Sequence, residues 1–171
     1  EILKKISKKQ IKEDQFFSKT QIEDLINEII DSFRESSSKK LVLNSKENKN
    51  KFNFQRSPEL IYGLRNFIGN AVKFSKSSVE INVKSDSQNL VVSIDDDGPG
   101  FPEDIKEILG EPYIKSKSVE VNSNTGTGLG TFLGKTLLER KSANVSFLKN
   151  DKLGGASVSI IWKVKDLKSI A

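Results

Sequence analysis

Leu64-Arg65-Asn66-Phe67-Ile68-Gly69-Asn70-Ala71-Val72-Lys73-Phe74 lies within a run that is expected to form a helix from Pro58 to about Phe74. Ser57 is a suitable N-cap, and Pro58 fits the first helical position. Apolar residues recur at helical spacing along the run, so this face is predicted to be buried. Its members are Leu60, Leu64, Phe67, Ile68 and Ala71.

Asn66, Asn70 and Lys73 share another face of this predicted helix, because they stand at i, i+4 and i+7. Asparagine is unfavourable in a helix interior, so two of them in register need a reason. One interpretation is a pair of exposed polar residues. The other is that the amide oxygens coordinate a hard cation while the lysine meets a phosphate. The spacing alone leaves both open.

Two glycine elements follow, Asp97-Gly98-Pro99-Gly100 and Gly126-Thr127-Gly128-Leu129-Gly130. Glycine allows a close approach of backbone to a ligand, and the second element leads into a predicted helix over Thr131–Lys141, so its amides could form an anion site. Such loops are also often simple turns. The second element is neither a Walker A loop nor a dinucleotide fingerprint, because no Gly-Lys-Ser/Thr ends it and no strand immediately precedes it.

The flanking segments define the fold class. Thr20 and Glu23 resemble a capping box before an apolar helix face that runs from Ile22 to Phe33. Strands are predicted at 41–43 and 52–54, and hairpins at 79–83 with 90–94 and at 145–148 with 156–164. This order predicts an α+β protein, a two-layer α/β sandwich with a mixed, mostly antiparallel sheet covered on one face by helices.

Composition narrows the possible functions. The 171 residues include no cysteine and no histidine, and 30% of them are charged. Disulfides and thiolate metal sites are therefore excluded, and no apolar run approaches a membrane span or a signal peptide. The net charge of +5 allows a polyanionic partner. The lysines are scattered, however, without a basic stripe interleaved with aromatic residues, so a solvated surface is favoured and no nucleic acid is expected.

In order, these elements resemble the motifs of sensor histidine kinases. The run from Leu64 to Phe74 resembles their N box, Asp95-Asp96-Asp97-Gly98-Pro99-Gly100-Phe101 their G1 box, and Thr125-Gly126-Thr127-Gly128-Leu129-Gly130 their G2 box. Gly110-Glu111-Pro112-Tyr113 falls where the F box is expected. The F-box segment and Lys135-Thr136-Leu137-Leu138-Glu139-Arg140 are similar to the redox-responding global-regulator kinases of the RegB/PrrB type, and so is the run from Arg56 to Leu64.

The resemblance implies the Bergerat ATP fold, with ATP and Mg²⁺ as cofactors. It implies that Asp97 accepts a hydrogen bond from adenine, that Gly98 and Gly100 admit the base, and that Asp95 and Asp96 are strand-end and turn residues. Asn70 would bind Mg²⁺ with support from Asn66, and Lys73 would neutralise the triphosphate. A lid over residues 111–125 would offer further phosphate contacts, and the G2 box would complete the site. The residues so assigned are Lys115, Lys117, Thr125, Gly126, Thr127, Gly128, Leu129 and Gly130.

The phosphoacceptor histidine would lie on a dimerisation domain outside this sequence. Residues 1–36 are predicted to be the end of a dimerisation helix and a linker helix, and residues 37–171 are predicted to be the catalytic domain. For the apolar stripe from Ile22 to Phe33, packing into the core of the catalytic domain is favoured. The resemblance implies a homodimeric parent protein, a response regulator as partner, and a cytoplasmic domain of a bacterial inner-membrane sensor kinase.

Gly69 departs from the acidic residue or histidine that many of these kinases carry at that position, which places catalytic efficiency in question. Two other hypotheses follow from the motifs. One is an ATPase of the gyrase, Hsp90 or mismatch-repair type, which usually has a glutamate in the N box. The other is a non-catalytic ATP-binding module.

Overall fold

The computed structural model describes residues 19–101 and 128–170 of the chain. In this part of the chain the strands and helices follow one another in an α+β order. The strands are β1 (Lys19–Gln21), β2 (Lys40–Asn44), β3 (Asn53–Gln55), β4 (Ser78–Ser85), β5 (Asn89–Asp96), β6 (Asn144–Lys149) and β7 (Ala156–Lys163). The helices are α1 (Ile22–Arg34), α2 (Pro58–Phe74), α3 (Gly128–Glu139) and α4 (Val164–Ile170).

The main sheet has five strands in the order β2-β4-β5-β7-β6. The β2–β4 pair is parallel, and the other three pairs are antiparallel. Side chains alternate along the strands, so that one sheet face is buried in a single hydrophobic core with α1, α2 and α3. The expected sandwich with a mixed, mostly antiparallel sheet is therefore confirmed, and so are both predicted hairpins.

Helix α2 begins as the sequence predicts. The Ser57 side chain accepts a hydrogen bond from the Leu60 amide at 3.2 Å, and Pro58 occupies the first turn. All five apolar residues predicted to face the core are buried, together with Gly63 and Val72. Burial of each large apolar side chain stabilises the fold by roughly 1.5–3 kcal/mol, and this packing fixes which face of α2 remains available for chemistry.

Helix α1 belongs to the same core. Its apolar residues Ile22, Leu25, Ile26, Ile29 and Ile30 are all buried within the cluster that also contains the sheet. Core packing, the favoured interpretation of this stripe, is therefore confirmed. The predicted domain boundary at residue 36 follows α1. Among the described residues, α1 nevertheless packs into the same hydrophobic core as the sheet, so removing α1 would expose that core. Residues 1–18 of the predicted 1–36 segment, which include the predicted end of the dimerisation helix, lie outside the described part of the chain.

Three local predictions are corrected. Thr20 and Glu23 do not form a capping box, because Gln21 is the N-cap residue without a side-chain hydrogen bond and Glu23 accepts one from Asn48 instead. The segment at 19–21 is a strand that pairs with β3. The last strand ends at Lys163, and the chain continues as α4.

Between residues 19 and 101 and between 128 and 170, no helix combines the length and the apolar character needed to cross a lipid bilayer.

Candidate functional site

Asp96 is a buried carboxylate at the end of β5, only 5% exposed. Its Oδ1 accepts hydrogen bonds from the amides of Gly98 at 2.9 Å and Ala156 at 3.1 Å. Among the described residues, Oδ2 has no hydrogen-bond partner. Burial raises the pKa of the Asp96 carboxyl, as do the charges of Asp97 and Asp95, although the two amide bonds act in the opposite direction. One oxygen is thus fixed by the backbone, and the second remains available as an acceptor.

Glycines allow the backbone to close tightly around this carboxylate. A Cβ on Gly98 would overlap the carbonyl oxygen of Phe74, the last residue of α2, and a Cβ on Gly155 would overlap the carbonyl oxygen and Oδ1 of Asp96. Gly100 has φ +79°, a left-handed conformation that side-chain-bearing residues rarely adopt. The end of β5, the start of β7 and the end of α2 therefore meet at one place.

Asp97 has a different role from the one assigned to it by sequence. Its carboxylate accepts hydrogen bonds from the amides of Lys76, Ser77 and Ser78 at 2.8–3.2 Å and from the Ser77 hydroxyl at 2.7 Å. Burial alone would raise the pKa of Asp97, but these hydrogen bonds, led by those from Ser77, hold it far below its ordinary value. The carboxylate is committed to the turn between α2 and β4, which does not fit an adenine ligand. The prediction that Asp97 contacts the base is therefore corrected.

The residue missed by sequence reasoning is Asp96. The alternation along β5 was the available signal, because Leu90, Val92 and Ile94 face the core and Asp96 continues the same face. Asp95 points to the other face, where it accepts hydrogen bonds from Asn82 at 3.1 Å and Ser157 at 2.5 Å.

Asn66, Asn70 and Lys73 lie together on α2 as predicted. Asn66 and Asn70 are half-buried and Lys73 is exposed, with its ammonium 5.3 Å from the ring centroid of Phe74. Within the described part of the chain, neither asparagine side chain has a hydrogen-bond partner. Phe74, one turn after Asn70, is the residue that Gly98 contacts. The polar face of α2 therefore runs up to the carboxylate end of β5.

Phe33 occupies the space beside Gly69. A Cβ at Gly69 would lie 3.1 Å from Cζ of the Phe33 ring, and the Arg65 guanidinium lies 5.4 Å from the centroid of that ring. The glycine in this motif thus has a packing partner on α1. A larger side chain at position 69 would have to displace the ring.

Helix α3 approaches α2 at Gly134, where an added Cβ would lie 3.3 Å from Cβ of Asn66 and 3.1 Å from the Phe67 ring. The helix starts at Gly128 rather than at Thr131, so Gly128, Leu129 and Gly130 form its first turn instead of a preceding loop. Gly130 is four residues from Gly134, or about 6 Å along the axis. The predicted site residues Lys115, Lys117, Thr125, Gly126 and Thr127 lie outside the described residues, as does the F-box segment.

Aromatic packing connects the glycine turn after β5 to α2. Phe101 packs edge-on against Phe147 of β6 with ring centroids 5.5 Å apart, and Phe147 packs against Phe67 of α2 at 5.9 Å. The site therefore has a rigid base of sheet and aromatic rings beneath a polar helix face.

Taken together, the geometry offers two different surfaces. At one end, a buried, oriented carboxylate oxygen lies beside glycines and can accept a hydrogen bond from an uncharged planar group. At the other end, two amide side chains and a lysine can meet a cation and an anionic group. This pairing suits a ligand with a polar aromatic ring at one end and phosphates at the other.

Comparison with known proteins agrees with the resemblance of the sequence motifs to sensor histidine kinases. Residues 56–166 match the family model described as histidine kinase-, DNA gyrase B-, and HSP90-like ATPase. The sensor histidine kinase RegB of Cereibacter sphaeroides is 37% identical over 127 residues, which cover 66% of this chain and 28% of RegB. The chain thus corresponds to little more than a quarter of that relative's length.

The fold is shared with solved structures, and two of them illustrate the similarity. A mycobacterial sensor histidine kinase, MprB, superposes with a TM-score of 0.70 at 17% identity, covering 86% of this chain and 97% of that one. Full-length ShkA in complex with AMPPNP gives a TM-score of 0.68 at 20% identity over 85% of this chain and 30% of ShkA. The family match, the similarity to RegB and the shared fold agree with the motif resemblance. The chain belongs to the family of histidine kinase-, DNA gyrase B-, and HSP90-like ATPases, as a domain homologous to the catalytic domains of sensor histidine kinases.

Proposed function

We propose that this chain binds ATP with Mg²⁺ and transfers the γ-phosphoryl group to a histidine of a dimerisation domain outside this sequence. The observation that carries the proposal is the Asp96 carboxylate, which the amides of Gly98 and Ala156 orient and which keeps one oxygen without a partner among the described residues. The chain contains no histidine, so the acceptor must be supplied by another segment or chain.

The base end of the proposed site uses Asp96 instead of Asp97. An ionised carboxylate only accepts hydrogen bonds, and the exocyclic amine of adenine only donates them in this edge-on arrangement. Oδ2 of Asp96 therefore complements that amine, while Gly98 and Gly100 let the ring lie close to the backbone.

The phosphate end uses Asn66, Asn70 and Lys73. Amide oxygens are suitable ligands for Mg²⁺, and both asparagine side chains lack hydrogen-bond partners within the described residues, so the donor set fits the ion. When bound, Mg²⁺ would neutralise phosphate charge. Lys73 would add a positive charge, and the amides in the first turn of α3 would contact a phosphate oxygen. We also propose phosphate contacts from residues of the lid and the G2 box, namely Lys115, Lys117, Thr125, Gly126, Thr127 and Leu129.

In this reaction the protein mainly positions the reacting groups and performs little covalent chemistry itself. An imidazole nitrogen attacks the γ-phosphorus, a P–N bond forms, and the P–O bond to ADP breaks with its electron pair left on the ADP oxygen. No aspartate or glutamate occurs between Asn66 and Lys73. This segment therefore offers no carboxylate to activate water, which favours transfer over hydrolysis.

We infer that the parent protein is a dimeric bacterial sensor kinase, anchored at a membrane with this domain in the cytoplasm, that acts on a response regulator. The relatives named sensor histidine kinase support this inference, as does the fraction of their length that the chain spans. ATP as the nucleotide is supported by the ShkA complex with AMPPNP, an ATP analogue.

The test combines the chain with γ-labelled ATP·Mg²⁺ and a separately supplied dimerisation domain that carries the acceptor histidine. We expect acid-labile label on that domain and none when its histidine is replaced by alanine. Steady ATP hydrolysis without labelling would favour an ATPase. Nucleotide binding without either reaction would favour a binding module.

A further inference from the structure

Lys39 holds the end of helix α2. This lysine lies in the connection between α1 and β2, and its Nζ donates hydrogen bonds to the carbonyl oxygens of Val72 at 2.5 Å, Ser75 at 2.7 Å and Lys73 at 3.3 Å. An ammonium group has three protons to donate, so these carbonyls account for all of them. Its charge is therefore directed at the backbone carbonyls.

The position of this contact explains why it is favourable. The last carbonyls of a helix have no amide donors within the helix, and they carry the negative end of its dipole. Lys39 supplies both the missing donors and a positive charge. On the other side of the same turn, Asp97 binds the amides of Lys76, Ser77 and Ser78. Two opposite charges from distant parts of the chain thus hold residues 72–78, which we call the α2–β4 turn.

The α2–β4 turn is next to the phosphate end of the proposed site. Lys73 lies within it, and Asn70 precedes Val72 by two residues. We propose that Lys39 is a positioning residue for the phosphate end of the nucleotide site, because it fixes the helical turn that orients Asn70 and Lys73. This inference rests on the proposed function and deepens it, since Lys39 acts only through the backbone of α2.

The effect is expected to be local. The first three turns of α2 are held by buried residues such as Leu60, Leu64 and Phe67. The last turn is packed by the smaller side chains of Ala71 and Val72 and ends in the turn that Lys39 binds. Without the ammonium, this turn opens more often while the rest of the helix stays formed. At the base end, Gly98 packs against the Phe74 carbonyl, but the Asp96 carboxylate is held by the amides of Gly98 and Ala156 and not by α2, so it should keep its position.

The experiment compares binding of adenosine, which reaches only the base end, with binding of ATP·Mg²⁺. We expect Lys39→Met to weaken ATP·Mg²⁺ about fivefold, in line with the loss of one charge at a helix end, and to leave adenosine affinity unchanged. Lys39→Arg should restore most of the ATP·Mg²⁺ affinity. Lys40→Met is the matched control, because the Lys40 side chain is exposed and makes no hydrogen bond or ion pair within the described part of the chain; it should change neither affinity.

Amide hydrogen exchange provides an independent measurement. In Lys39→Met, the amides of residues 72–75 should exchange faster, whereas those of residues 61–68 should keep their rates. Equal losses for adenosine and ATP·Mg²⁺, or no loss for either, would overturn the positioning role, as would uniform acceleration along α2. If the unaltered chain binds neither ligand, the proposed function itself fails. That result is distinct from a Lys39 variant that behaves like the unaltered chain.

Discussion

The two ends of the candidate site are built in different ways. At the base end, one oxygen of Asp96 is fixed by two backbone amides, and glycines bring three backbone segments into contact around it. At the phosphate end, side chains on one helix face carry the chemistry, and within the described residues Asn66 and Asn70 have no hydrogen-bond partners. The first end is preorganised by backbone packing, whereas the second depends on how α2 is held and on what the ligand brings.

This difference predicts how the ends respond to substitution. A change at the base end replaces a fixed hydrogen-bond acceptor by a donor and should reduce ATP affinity the most. A change at the phosphate end removes one of several contacts. Changes at Asp97 and Gly69, which lie beside the two ends, should affect folding more than binding.

Asp96→Asn should give the largest loss of binding. Its oxygen would stay with the amides of Gly98 and Ala156, so the new NH₂ group would point where Oδ2 had been. Two donors would then face each other, and we expect a loss of about 2–3 kcal/mol, or roughly 30- to 150-fold in ATP affinity. Isothermal titration calorimetry would measure it.

Asp97→Asn is the matched control for that measurement. It removes the same charge one residue away. Because Asp97 helps to hold the α2–β4 turn, we expect a loss of ATP affinity of about fivefold or less, which is far below the loss in Asp96→Asn. A larger loss in Asp97→Asn than in Asp96→Asn would reverse the assignment made from the structure.

Asn70→Ala should have the next largest effect on binding. Removing one oxygen ligand is expected to weaken ATP·Mg²⁺ about tenfold while leaving metal-free ATP nearly unchanged. Titrations with Mg²⁺ and with a chelator would separate the two. Asn27→Ala, at an exposed asparagine of α1, serves as the control. Persistent Mg²⁺ dependence in Asn70→Ala would exclude this residue as a metal ligand.

Asp97 should contribute to stability in a pH-dependent way. Its pKa is lowered in the folded state, so its stabilisation is fully present above the unfolded value near 4 and is lost as the pH falls through the folded value. Relative to the unaltered chain, Asp97→Asn should therefore melt a few degrees lower at pH 7 and show a flatter pH dependence below pH 4. Because Trp162 is the sole tryptophan and is fully buried, its fluorescence can follow unfolding. If the melting temperatures of the two proteins changed by the same amount between pH 7 and pH 3, this role of Asp97 would be contradicted.

Gly69→Ala should have the smallest effect. Alanine gains up to about 1 kcal/mol of helix propensity over glycine, but the half-exposed Phe33 ring must move by a few tenths of an ångström. We expect a net change within about 0.5 kcal/mol in the free energy of unfolding. Gly63→Ala provides the contrast in the same helix, because its Cβ would lie 2.6 Å from the buried Leu138 and should destabilise by about 2 kcal/mol. Equal destabilisation by both substitutions would show that Phe33 is held as rigidly as Leu138.

Much of the fold followed from periodicity and capping. Ser57 and Pro58 defined the start of α2, and the alternation of β4 and β5 defined the central hairpin, because these signals are local. The parallel pairing of β2 with β4 and the pairing of β1 with β3 join segments that are far apart in sequence. A local sequence pattern therefore could not predict them.

The site was predicted less completely than the fold. The face of α2 was found because helical spacing alone places Asn66, Asn70 and Lys73 together. Three consecutive aspartates at 95–97 look equivalent in sequence, and only the strand phase and the turn contacts distinguish the buried acceptor from the turn residue. The role of Lys39 could not be inferred, since its partners are backbone carbonyls more than thirty residues away.

The parallel β2–β4 pair has a kinetic consequence. Hairpins β4–β5 and β6–β7 join neighbours in sequence and can form early, whereas β2 reaches β4 only after β3 and all of α2 have been placed between them. Long-range pairings of this kind raise the contact order and form late in folding. Lys39 immediately precedes β2, so it can reach α2 only when that edge strand docks. We therefore expect low φ-values at Leu41, and a nucleotide site that becomes competent only in the final step of folding.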